Sequence, residues 1–308
     1  MRRFADYFIL LAVLAAMMLL FGLLRESFLS AATLGSVANR IPALALVATG
    51  MTLVMITGGI DLSVGSVLGF CGAAVGVMMA DWQWGLALAA AGSILLGCAI
   101  GGTTGALSVK LGLPSFIVSL GMMEIARGLA FLTTNSQTKY IGAGVESLGA
   151  PFAGLVVSPA FFISLLIVMT GQLVLSHVAV GRHWIAVGAS REAALISGVP
   201  VDRPRILAHA LLGALTGLAA VFNCSRLGSA DPNAGAGFEL SAIAAVVVGG
   251  TSLMGGRGSV VKSFMGVLVI ATLEAGLVQL GASEPVKRVV TGAVIIVAVL
   301  ADTWRRRS

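Results

Sequence analysis

Ten apolar runs, each near the length that crosses a bilayer, limit this chain more than any other feature. They lie near residues 5–24, 41–57, 62–80, 85–107, 114–134, 152–177, 206–225, 240–255, 263–281 and 286–302, against the roughly 20 residues a helix needs to traverse about 30 Å of hydrocarbon. Composition leaves no water-soluble alternative. With 58% hydrophobic and 10% charged residues among 308, and a mean hydropathy of +1.02, too little polar side chain exists to cover a wet surface. Backbone amides in hydrocarbon must find internal partners, and helices of this length supply them. The expected fold is therefore an all-α polytopic membrane protein, one domain over residues 1–308 with about ten transmembrane or re-entrant helices. The eighth run is short, and reads as spanning or re-entrant. Forty glycines suit helices that pack closely or break.

The net charge of +6 is spread in short clusters between the apolar runs, so it reads as a topology signal rather than a nucleic-acid face. With the N-terminus in the cytoplasm, Arg2, Arg3, Lys110, Arg182, Arg191, Arg203, Arg205, Arg257, Lys262, Arg305, Arg306 and Arg307 fall inside. Arg25, Arg40, Lys139, Arg226, Lys287 and Arg288 fall outside, and Arg127 lies within a span. The inside excess predicts that both termini are cytoplasmic. It also places the longest polar insertion, residues 181–205, in the cytoplasm as the main candidate for docking a soluble partner. The basic start followed by an apolar run resembles a signal peptide, but the run is of span length and reads as an uncleaved anchor. Trp82, Trp84 and Trp304 fit membrane interfaces.

Two glycine-rich breaks interrupt the apolar pattern. ITGGIDLSVGS (residues 56–66) and VVGGTSLMGGRGS (residues 247–259) share a Gly-Gly pair, a leucine three residues after the second glycine, and a later glycine with serine. A helix does not run straight through such a segment. Unwound backbone at membrane depth is tolerated only against protein or a water-filled cavity, so the breaks read either as pathway lining or as ordinary turns at a membrane face. The span count puts both on the same side. Asp61, Ser63, Glu239, Thr251 and Ser252 are the candidate pathway residues. Asp61 is the sharpest, because a lone carboxylate in an apolar segment costs roughly 2.5–3.5 kcal/mol at a helix centre. It either caps the third helix or touches substrate. Glu124 and Arg127, three apart on one predicted helix, read as an internal ion pair. Glu239 reads as an outer-vestibule residue or a helix-start acid, and Glu274 as a further isolated acid.

No catalytic constellation assembles. His177, His183 and His209 lack metal-ligand spacing, and Cys71, Cys98 and Cys224, odd in number and without C-x-x-C spacing, read as reduced buried thiols. The nearest approach to a phosphate loop, GRGSVVKS (residues 256–263), has Val261 where the second glycine is required. Any ATP dependence must then come from a partner.

GMTLVMITGGIDLSVGS (residues 50–66), the central insertion, and GFELSAIAAVVVGGTSLMGGRGS (residues 237–259) resemble the ribose-type sugar permeases of bacterial ATP-binding cassette importers, and the similarity runs through most of the chain. The resemblance implies a permease subunit in the inner membrane that moves a monosaccharide or related polyol. It implies a second permease chain, identical or similar, and a periplasmic sugar-binding protein. A cytoplasmic ATPase would hold the ATP, with no cofactor on this chain. The family's coupling-loop pattern falls on Gly188, Ser190, Ala193, Ala194 and Gly198, within a loop of about residues 178–205 that also carries Glu192. Ser190 stands where asparagine is usual, which bears on a cap there, and small Ala193, Ala194 and Gly198 imply a close fit into the ATPase. Lys262 stands where glycine is more frequent. The other readings are a branched-chain amino-acid permease of the same importer class, and an ion-gradient carrier using Asp61, Glu124 or Glu274. A membrane-embedded enzyme lacks its chemistry.

Overall fold

The computed structural model describes residues 2–151 and 155–307, with side chains described for 6–151, 155–297, 299 and 300. The side chains of Trp304 and of the terminal arginines counted above lie outside these. The chain is helical almost throughout: α1 Arg2–Leu24, α2 Ala31–Ile56, α3 Val64–Gly76 continuing as a π-turn Val77–Asp81, α4 Leu86–Lys110 and α5 Ser115–Thr134. There follow a one-turn α6 Ala143–Glu146, α7 Pro159–His177, α8 Ala179–Ala189, α9 Arg191–Ile196, α10 Asp202–Leu227, α11 Phe238–Val248, α12 Val260–Gln279 and α13 Glu284–Arg307. Among the described residues, eight helices are long and apolar enough to cross a membrane. They match the predicted runs one to eight apart from the short eighth, together with the ninth. The tenth falls on α13.

Helix α2 is the hub. Nearly all of residues 41–56 are buried, and α10, α12, α7 and α11 surround it. It begins ten residues earlier than predicted, because the polar stretch through Asn39 and Arg40, which line a cavity, is already helical.

The tightest packing is between α4 and α10, and it rests on small residues. Ser93, Gly97, Gly101 and Gly105 recur every fourth residue on α4, opposite His209, Gly213 and Gly217 on α10. A β-carbon on Gly97 would overlap the Gly213 carbonyl, one on Gly213 the Gly97 carbonyl, and one on Gly101 the His209 carbonyl. Ser93 Oγ donates to the Gly217 carbonyl at 2.8 Å. In lipid, where no hydrophobic drive joins helices, such backbone approach is what holds them together.

The predicted eighth span is corrected. Helix α11 has 11 residues, about 16 Å of rise, half a hydrocarbon core. Gly249 and Gly250 end it, Gly250 at φ +81°, so residues 249–255 are loop. The other half of the crossing is not helical. The chain before α11 descends beside α3 in the opposite direction: Ala230 lies against Gly76, Pro232 and Ala234 against Gly69, and Gly235 against Gly65. Eleven residues of α3 separate Gly76 from Gly65, another 16 Å or so. Unwound strand and half-helix together therefore make one full crossing.

Arg127 makes that crossing possible. Its Nη1 donates to the carbonyls of Pro232 at 3.0 Å and Ala234 at 3.1 Å. This replaces the expected pairing with Glu124, which is exposed and carries no ion pair among the described residues. Charge-assisted bonds of this kind contribute about 1.5–3 kcal/mol each. Arg127→Met is expected to lower the melting midpoint in detergent by several degrees and to cut transport at least about fivefold, with Arg127→Lys intermediate. A thermal shift assay checks it, and an unchanged midpoint for the methionine variant contradicts this role.

Candidate functional site: a glycine joint beneath the coupling loop

The two glycine-rich breaks touch each other, so they share one end of the bundle. Gly256 N–H donates to the Ile56 carbonyl, the last of α2, at 2.8 Å. Into the same point comes Gly188 of α8. A β-carbon there would overlap the Ile56 carbonyl and stand 2.6 Å from Gly256 N. Gly255 and Gly256, at φ +88° and +72°, use backbone conformations that disfavour other residues. Their own β-carbons would meet Gly188 O and Ala189 Cα, each at 2.8 Å. Three chain segments far apart in sequence thus meet backbone to backbone.

Hydrogen bonds fix each segment to its neighbours. In the first break, the amides of Ile60 and Leu62 donate to Ser115 Oγ and Ser119 Oγ of α5, each at 2.9 Å. Asp61, 2% exposed, takes the Ser63 amide at 2.9 Å and the Ser63 hydroxyl at 2.6 Å. Its carboxylate closes the turn into α3. In the second break, buried Thr251 and Ser252 belong to the joint: the hydroxyls of Thr52, Ser263 and Thr251 form a chain with separations of 2.8 and 3.3 Å, and Ser252 N donates to the Arg257 carbonyl. Gln172 Oε1 of α7 accepts from Ser259 Oγ at 2.9 Å and Val261 N at 3.2 Å, tying the start of α12 to the helix that leads into α8. Lys262 pairs with Asp6 and stands 5.3 Å from the Tyr7 ring centre, so this cation pins α1 to α12.

Helix α8 leads from the joint to the surface. Trp184 is buried and its Nε1 donates to the Pro204 carbonyl at 2.8 Å, fixing α8 to the start of α10. Ser190 caps α9, accepting from Ala193 N at 3.2 Å, so serine serves where asparagine is usual. Glu192 and Ala193 are exposed on α9. Ala194 is turned inward against Val187 and Val201, and Gly188 lies against the joint beneath. Gly198, at φ +75°, stops α9 in the left-handed conformation. Beside Glu192 and Ala193, the large apolar side chains α9 offers outward are Leu195, 56% exposed, and Ile196, 89% exposed. Their signal was available as two large apolar residues closing a short helix between polar turns.

At the opposite end lies a cavity of about 170 Å³. It is lined by Arg40 of α2, Ser158, Asn223 and Arg226 of α10, Phe238 of α11 and Glu274 of α12, and a smaller cavity continues past Ser241. Ser241 Oγ donates to Glu274 at 3.3 Å. Of the predicted pathway residues, Asp61, Ser63, Thr251 and Ser252 are packed and bonded near the breaks, and none lines this cavity. Glu239 is half-buried in the first turn of α11, with Oε2 directly over Gly65 of α3. Glu274 was legible as an isolated acid and Arg40 as an outside charge, but that both line one cavity was not.

Eight candidate spans, a broken crossing and a short exposed helix joined to the breaks define a polytopic membrane protein with the broken-helix architecture of transport subunits. The family described as branched-chain amino acid transport system / permease component matches residues 33–299, and the chain belongs to it. Among similar proteins, the ribose import permease protein RbsC of Escherichia coli K12 is 36% identical over 290 residues, covering 92% of this chain and 89% of the relative. RbsC of Bacillus subtilis 168 is 38% identical over 297 residues, 93% and 89%. The L-arabinose ABC transporter permease protein AraH of Azospirillum brasilense is 33% identical over 266 residues, 84% and 76%. No solved structure matches the chain.

Proposed function

We infer that the chain is the permease subunit of an ATP-binding cassette importer that carries a monosaccharide or related polyol across the bacterial inner membrane. It performs transport and no catalysis. The sugar class rests on relatives whose names specify ribose and arabinose import. In this reading both termini are cytoplasmic, two permease chains pair, and a periplasmic binding protein delivers the sugar. A cytoplasmic ATPase docks on α9 and holds the ATP, so this chain needs no cofactor of its own.

The observation that carries the mechanism is the single path from α9 through α8 to the Gly188 joint. ATP closure in a soluble subunit has to reach the membrane as a rigid-body movement. Leu195 and Ile196 supply the apolar anchor, Trp184 holds α8 to α10, and Gly188 lets α8 bear on the backbone of both breaks. A shift of α8 then moves the end of α2 and the start of α12 together.

Affinity-tagged chain from gently solubilised membranes is expected to carry a stoichiometric ATPase subunit. Glu192→Lys with Ile196→Asp is expected to lower that recovery about tenfold or more, the scale of a lost interface anchor, while leaving insertion normal. Full recovery with both changes would contradict docking on α9.

A further inference from the structure

We propose that Glu124 lines the translocation path, accepting hydrogen bonds from the hydroxyls of the passing solute, and that α5 turns this face toward a second copy of the chain. The proposal rests on the sugar-permease reading and adds the wall of its path.

Glu124 is the tenth of the 20 residues of α5, the middle of a helix of span length. The buried positions of α5, Ser115, Ser119, Ala126, Ala130 and Thr134, form one stripe. Ile117, Gly121, Glu124 and Gly128 recur at spacings of four, three and four on the opposite side, and all four are exposed. Glu124 therefore points straight out of the monomer at mid-membrane. It makes no hydrogen bond or ion pair among the described residues, whereas Arg127, one face away, is bound to Pro232 and Ala234. Two other charges on spanning helices, Arg40 and Glu274, line one cavity.

A carboxylate aimed into lipid is not tolerated; such groups face a bundle interior or water. With α5 placed at the two-fold axis of a pair of chains, dry protein alone is a poor cover, because the second copy would bring the same carboxylate to the same place. Water between two copies satisfies both. Gly121 and Gly128 put no side chain on this face, and a β-carbon on either would meet nothing within 4 Å in the single chain. The result is a groove with a hydrogen-bond acceptor at its centre, suited to a polyhydroxylated neutral solute. Glu124 is a specificity-determining residue in this account, one that touches solute in transit.

Glu124→Cys in a Cys98→Ala background tests it in membranes holding the assembled importer, against Leu166→Cys, an exposed apolar position on α7. The probes are a charged methanethiosulfonate and the lipid-soluble N-cyclohexylmaleimide. The Cys98→Ala parent, with Cys71 and Cys224 buried, sets the background. The expected result is labelling of position 124 by the charged probe at least about a hundredfold faster than position 166, with a bifunctional thiol reagent yielding a covalent permease pair. Labelling only by the lipid-soluble probe would place the residue in lipid and overturn the proposal, as would inertness to both, which marks a dry interface. ATP-driven uptake by the parent separates these failures from failure of the permease reading itself.

Discussion

Gly188→Val is expected to abolish ATP-driven uptake while the chain still inserts and still recovers its ATPase. The valine side chain would have to occupy the space of the Ile56 carbonyl and the Gly256 amide, which are bonded to each other. Both neighbours are backbone, so no flexible side chain can yield. Overpacking of this kind costs about 1–3 kcal/mol, and here the strain falls on the contact through which loop movement reaches the breaks. Uptake should fall at least about tenfold and ATP hydrolysis should lose its stimulation by binding protein and solute. Gly198→Asn, which keeps the left-handed stop after α9, should transport nearly normally. Uptake above half the parental rate in the valine variant would show that the joint is not the coupling point.

Gly213→Val is expected to act on the fold itself. Its side chain would enter the Gly97 carbonyl at the centre of the α4–α10 interface, where the Gly97 and Gly101 backbones approach. Separating the helices by the width of a side chain would also pull Ser93 from the Gly217 carbonyl. A loss of about 3 kcal/mol corresponds to a fall on the order of 5–10 °C in the melting midpoint, with reduced yield from membranes. Gly102→Ala on the facing helix α4, whose β-carbon would meet only Ala210 at 3.7 Å, should change the midpoint by less than about 1 °C. Equal effects from both substitutions would contradict a backbone-to-backbone interface.

The long spans were legible because apolar length is a direct requirement of the bilayer. The broken crossing was not. Residues 240–248 are apolar like any span and do not show that they make only half of one, while the polar segment 230–237 reads as an outside turn although it runs beside α3. Both breaks announced themselves through Gly-Gly, and the expectation that they share a side agrees with the Ile56–Gly256 bond. Their partners were silent, since Ser115 and Ser119 are ordinary residues until Ile60 and Leu62 need acceptors. Pairing Glu124 with Arg127 followed helical spacing, but the carbonyls that claim Arg127 lie more than a hundred residues away. Gly188 belonged to a recognisable loop pattern, and a pattern does not say which face of a helix a glycine serves.

The most direct test of the whole account is uptake into proteoliposomes that hold this chain with its ATPase, with binding protein outside and ATP within. Radiolabelled D-ribose, D-xylose, L-arabinose and L-leucine would be offered in the presence of a protonophore. The account predicts accumulation of a sugar that requires internal ATP, resists the protonophore and excludes leucine. Uptake that ignores ATP and collapses with the proton gradient, or that accepts leucine alone, would contradict it.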